Sequence, residues 1–346
     1  MKVVDLSTLD ITSCRDERVQ NISKSCVRLY LYGNNLTNLE GFPFLPNLVT
    51  LFLEDNNLNS LIGMPELPKL RYLHLEENNL TNLEGLPSLP YLEELHLHEN
   101  NLTNLEGFPE LPELRHLYLF KNNLTNLEGF PELPELRHLF LGYNNLTNLE
   151  GFPELPKLIS LHLEDNNLDL LFGMPSLPSL GHLNLNGNPI NSLIGFPYLP
   201  NLETLWGGDN IKLYLNLNLL EMVKFYNFLI DKLENLYEES NEVIQNYIEF
   251  FNSQEEETVD DNLYNKKFAI LSKFYDDEIE KLKNIMKKFV YGEYHTEDGD
   301  SDMYKEYKMF SEGTKRTKYT YEDIFELFSK DTELSKYTYE DIFELF

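Results

Sequence analysis

The chain has 346 residues, 42% of them hydrophobic, with 58 acidic against 28 basic side chains and a formal net charge of −30. That length accommodates one extended architecture plus a smaller module, with a sizeable core. The negative field repels phosphate backbones and anionic membrane surfaces, so nucleic acid and membrane are not expected partners; it suits a basic protein surface, or equally serves only to keep the chain in solution.

The amino-terminal MKVVDLSTLDIT has no apolar run of signal-peptide length, and no stretch approaches the roughly 20 apolar residues of a membrane span, which points to a cytoplasmic protein. The only 2 cysteines, Cys14 and Cys26, precede the first repeat and are expected as reduced thiols in an N-terminal cap over residues 1–26, the alternative being a disulfide between them in an extracellular protein.

From Val27 the frame L-x-x-L-x-L-x-x-N-x-L recurs every 22 residues, as in Leu48, Leu51, Leu53, Asn56, Leu58 and then Leu70, Leu73, Leu75, Asn78, Leu80. Repeats start at Val27, Val49, Arg71, Glu93, Arg115, Arg137, Ile159 and Gly181, with a degenerate ninth at Glu203, so a solenoid is expected over 27–215. Alternating leucines such as Leu73 and Leu75 put two side chains on one face of a short strand, which a single repeat has no means of burying. Stacking the repeats as parallel strands about 4.8 Å apart buries that face against the neighbours. The asparagine of each frame, from Asn34 to Asn210, falls where the strand turns, and its amide is expected to pair with backbone groups of adjacent rungs. The other half of the repeat reads L-x-G-F-P-x-L-P-x-L, and all of the 17 prolines but Pro189 lie in such segments. Proline removes a donor and fixes φ, so polyproline or short 3₁₀ pieces are expected there in place of an α-helix.

These motifs resemble the leucine-rich repeat family in its 22-residue class, the kind found in regulatory subunits of protein phosphatases and in bacterial internalins. The resemblance implies a curved α/β repeat solenoid that binds other proteins on the concave face of its parallel β-sheet. Asn100–Leu117 and Asn122–Leu139 are identical in sequence, a sign of internal duplication. The richness in Asn, Tyr, Phe and Lys also resembles proteins of AT-rich genomes such as giant viruses or protists.

In each strand x-L-x-L-x, the residues between the leucines point away from the core. The central position reads Tyr30, Phe52, His74, His96, Tyr118, Phe140, His162, Asn184 and Trp206, and we expect an exposed ladder of aromatic and imidazole rings. One flank carries Tyr72, Glu94, His116 and His138, and the other Glu54, Glu76, His98, Phe120 and Glu164. Rigid aromatics offer contact area at little entropic cost, so Tyr30, Phe52, His74, His96, Tyr118, Phe140, His162, Trp206, Tyr72 and Phe120 are the candidate partner-binding residues. Stacking between strands, worth about 0.2–1 kcal/mol per pair, is the structural alternative. The acidic flank calls for a protein partner with a basic rim. His74, His96 and His98 are expected as close neighbours, but without a buttressing carboxylate shell no metal and no cofactor is expected.

Beyond the ninth rung the stripe Leu219, Val223, Tyr226, Ile230, Leu233, Tyr237 predicts a helix that covers the stack. Ser240 reads as the start of a second helix, and Tyr264, Phe268, Leu271, Tyr275, Ile279, Leu282 and Phe289 predict a third, making 216–291 a helical cap or module. Residues 292–346 read as an acidic tail in which KYTYEDIFELF occurs at 318–328 and again at 336–346, either a pair of segments suited to bivalent docking or a terminal duplication of little consequence. No cysteine follows Cys26, so thioester transfer lacks its nucleophile, and G-x-x-x-x-G-K, H-E-x-x-H and G-x-S-x-G are all missing. The expectation is a non-catalytic, monomeric interaction scaffold. Its alternative is an enzyme-recruiting or catalytic adaptor whose C-terminal module acts on what the solenoid captures.

Overall fold

The computed structural model describes residues 2–190, 196–207, 219–253 and, within 272–286, all but 274 and 278. The chain divides into two compact units, Met1–Lys224 and Phe225–Phe346. In the first, ten strands form one parallel sheet in sequence order: β1 (Lys2–Asp5), β2 (Cys26–Tyr30), β3 (Thr50–Phe52), β4 (Tyr72–His74), β5 (Glu94–His96), β6 (His116–Tyr118), β7 (His138–Phe140), β8 (Ser160–His162), β9 (His182–Leu185) and β10 (Thr204–Gly207). The 22-residue period sets the register directly. Leu51 lies beside Leu73, Leu73 beside Leu95 and Leu95 beside Leu117, so equal positions of successive repeats are spatial neighbours.

The leucines of the frame are fully buried from Leu29 to Leu185 and make a continuous core under the sheet. Each asparagine from Asn34 to Asn188 is buried beside them. Asn122 is representative. Its Nδ2 donates to the carbonyls of Leu119 at 3.1 Å and Leu97 at 2.9 Å, while its Oδ1 accepts from the Leu102 amide at 2.9 Å. One side chain thus satisfies the turn of its own rung and two groups of the rung before, which the strand ladder leaves open. The residue just ahead of the asparagine has positive φ, including the non-glycine residues Asp55, Glu77, Glu99, Lys121, Tyr143 and Asp165. That left-handed step costs about 1–3 kcal/mol at a non-glycine residue, and the asparagine bonds hold it in place.

The return segments hold isolated i→i+3 turns, such as Phe42 N–H to Leu39 O and Leu48 N–H to Leu45 O, with no α-helix between β2 and β9. Gly85 shows how tightly these segments stack: its φ is +93°, and a Cβ there would lie 2.6 Å from the Ile62 nitrogen of the preceding rung.

The sheet begins earlier than the leucine frame. β1 pairs with β2, and the cap also holds a short helix, α1 (Glu17–Gln20), whose Asp16 side chain accepts from the Arg18 amide. Asn34 reaches into this cap, accepting from the amides of Leu9 and Ile11 and donating to Leu6 O. Cys14 and Cys26 are buried and free, and burial pushes the Cys14 thiol up to about 12.

Residues 219–253 form one continuous helix, α2 (Leu219–Ser253). Ser240 therefore does not start a helix. It lies buried in α2's interior, because no Gly or Pro nearby breaks the hydrogen-bond ladder and so exposes amides for it to cap. In the second unit Leu236, Tyr275 and Ile279 form a small apolar core with Leu233 against it. Tyr264, Phe268, Leu271, Phe289 and both copies of KYTYEDIFELF lie outside the described residues, as does Asn210.

Candidate functional site

Because the register has no offset, the residues between the leucines line up in columns on the outer face of the sheet. The central column stacks ring on ring. Centroid separations run 4.6 Å for Tyr30–Phe52, 4.5 Å for Phe52–His74, 4.3 Å for His74–His96, 4.2 Å for His96–Tyr118, 4.7 Å for Tyr118–Phe140 and 4.6 Å for Phe140–His162. Asn184 interrupts the column, and Trp206 beyond it is 46% exposed.

The stacking corrects one expectation. An exposed ladder was expected, yet these rings are half-buried, because each covers the faces of its neighbours. What the column offers to solvent is ring edges, which carry the positive part of the ring quadrupole. Of the remaining candidates, Phe120 stacks on His98 at 4.3 Å in the neighbouring column, and Tyr72 lies on the opposite flank with its hydroxyl 3.5 Å from Glu93 Oε2.

The carboxylates of the face stand beside this column. Glu76 places Oε1 at 3.3 Å from His74 Nδ1, and Glu164 Oε2 lies 3.6 Å from His162 Nδ1, beyond hydrogen-bond length. Gly142 has no side chain, and the Glu164 carboxylate leans into that space: a Cβ on Gly142 would lie 2.7 Å from its Oε1. Glu54 Oε2, Glu76 Oε2, Glu164 Oε2 and His98 Nδ1 are buried with no hydrogen-bond partner among the described residues. Buried polar atoms are nearly always paired, so these atoms, together with His96 Nε2 and His116 Nδ1 on the same face, mark a surface that is incomplete by itself.

Proton affinities follow the same geometry. Burial raises the Glu54 carboxyl, and the charge of Glu76 adds to it. Burial also acts to raise Glu76 and Glu164, but the His74 hydrogen bond and the His162 imidazole respectively outweigh it, and both sit below the usual carboxylate range. Burial and the neighbouring His74 push the His96 imidazole down to about 4. Burial holds His98 and His138 low as well, and the stacked His116, 4.9 Å away, adds to the effect on His138.

One further cluster was not expected from the sequence. His74, Glu76 and His96 each bring a potential ligand atom to within 4.8 Å of the others. The carboxylate comes from Glu76, two residues beyond His74 and just past the end of β4, where its Oε1 lies 3.3 Å from His74 Nδ1.

The sequence pattern described as "Leucine rich repeat" matches residues 68–124, and that described as "Leucine Rich repeats (2 copies)" matches residues 112–154. This is a leucine-rich repeat protein. The same frame and the same asparagine bonds continue on both sides of the matched span, from Asn34 to Asn188. Among solved structures, internalin C2 of Listeria monocytogenes is similar at 30% identity over 51% of this chain and 78% of its own, with a TM-score of 0.46. The internalin InlF of the same organism is 20% identical over 59% of this chain and 60% of its own, with a TM-score of 0.50, a likeness that shows the fold. YopM of Yersinia enterocolitica is 30% identical over 54% of this chain and 43% of its own, with a TM-score of 0.40. The chain thus spans less than two thirds of the InlF and YopM chains. No curated protein matches the sequence. The repeat stack is a scaffold for protein interaction. Among the described residues, no helix is long and apolar enough to cross a membrane.

Proposed function

We propose that this scaffold is non-catalytic and takes a partner protein across the outer face of its sheet, through a segment rich in Lys or Arg. The observation that carries the reading is the pair of buried carboxylate oxygens without partners, Glu54 Oε2 and Glu76 Oε2, next to the ring column. A buried carboxylate oxygen left open costs about 1–3 kcal/mol or more, and a lysine or arginine of the partner removes that cost through charge-assisted hydrogen bonds. Glu164, held only at 3.6 Å by His162, is a second anchor at the other end of the face. Between them the edges of Phe52, His74, His96, Tyr118 and Phe140 form a rigid floor whose rings lose little entropy on contact. The net charge of −30 speeds the approach of a basic surface and repels nucleic acid.

The test is selection of ligands by the full chain from a peptide library of varied charge. Selected peptides should be enriched in Lys and Arg, bind less tightly as salt rises, and lose at least tenfold in affinity to the Glu54→Gln/Glu164→Gln variant. Selection of peptides without basic residues, or unchanged affinity in that variant, would reject the reading.

A further inference from the structure

We propose that His74, Glu76 and His96 form a binding site for one divalent transition-metal ion of the zinc class. The three donors lie within 4.8 Å of one another on two adjacent rungs, with His74 on β4, Glu76 just past its end and His96 on β5. Two imidazoles and one carboxylate are a ligand set that suits zinc-like ions and leaves a coordination position open for water or a partner group. Bonds of about 2.0–2.1 Å at tetrahedral angles require ligand atoms about 3.4 Å apart. The donors therefore have to close by up to roughly 1.4 Å to hold the ion.

Two further observations favour the ion. Glu76 already orients toward His74 through Oε1, and its Oε2 is buried without a partner, as are Glu54 Oε2 and His98 Nδ1 alongside. A divalent ion would ligate the first and draw in the others electrostatically as an outer ring. Finally, the repeat supplies its own contrast: His162 at the end of β8 and Glu164 just past it reproduce the same pair, but the column neighbours of His162 are Phe140 and Asn184, so no second imidazole completes the set. Among the described strands, only β4 and β5 bring two histidines together in the central column.

The site shares Glu76 with the basic-partner reading but does not rest on it: that reading is tested at Glu54 and Glu164, and this one at His96 and Glu76. The experiment is calorimetric titration of ZnCl2 into the full chain after chelator treatment, with CoCl2 absorption spectra as a geometric readout. We expect one equivalent per chain, tetrahedral cobalt bands, and at least tenfold weaker binding in both His96→Phe and Glu76→Gln. Phenylalanine at 96 repeats what Phe52 and Phe140 already do in the column, so the stack persists, and a thermal melt without metal verifies that it does. The His162→Phe/Glu164→Gln variant should bind zinc as the parent chain does. Failure to saturate at one equivalent, binding that survives both His96→Phe and Glu76→Gln, or loss of binding in the β8 variant would each overturn the assignment.

Discussion

The two faces of the sheet follow opposite rules. Beneath it every rung repeats the last: the same leucines are buried, and the same asparagine closes the same three backbone groups from Asn56 to Asn188. Above it the residues change from rung to rung, and polar atoms of Glu54, Glu76, His98 and Glu164 stay open. The lower face is complete within the chain, and the upper face is complete only with something added. Stability is therefore assigned to the repeated positions and recognition to the varied ones, a division that single substitutions can break or sharpen.

The largest effect is expected from Leu117→Ala, which opens a cavity between two identical neighbours and should cost about 2–5 kcal/mol. A chemical-denaturation midpoint as high as the parent's would mean that the rungs do not depend on their leucines. Asn122→Ala comes next. It removes the acceptor of the Leu102 amide and the donor to Leu97 and Leu119 carbonyls, at about 1–3 kcal/mol for a buried group left open. A melting temperature that does not move would contradict a structural role for the asparagine column.

A smaller effect concerns pH. His138 has its proton affinity lowered by burial and by the charges of His116, Arg137, His162 and His182. Below the ordinary imidazole value of about 6.5 the unfolded chain then takes up a proton that the folded chain resists, so stability falls as pH drops through that value. His138→Phe keeps a ring on His116 and should flatten the melting curve's dependence on pH between about 7.5 and 5. An equally steep dependence in that variant would place the effect elsewhere.

Much of this division is legible in the sequence, and the reasons differ by residue. The leucine and asparagine positions repeat at a constant spacing, so the period alone predicts strands, register and buried face. β1 escapes because its spacing departs from the period: Val4 pairs with Leu29, and the asparagine position is taken over by Asn34 reaching back to Leu9 and Ile11. The column members are legible too, since alternation assigns them to one face, but their orientation is not. Whether a ring shows its face or its edge depends on the side chain of the rung above, and stacking at 4.2–4.7 Å decides it for edges. The His74–Glu76 contact stays hidden for the same reason, because it depends on side-chain torsions, which spacing does not fix. In α2, Ser240 matches a start signal, but a capping serine acts only where the helix ladder is broken.

The most direct test of the division is affinity capture from cell lysate with the full chain and with Tyr118→Ala/Phe140→Ala, quantified by mass spectrometry beside a thermal melt of each. Removing the two rings forfeits stacking worth about 0.2–1 kcal/mol per pair, so the variant should melt within a few degrees of the parent. Partners enriched by the parent chain should be lost from this folded variant. The same partners captured at the same abundance by both proteins would contradict the division.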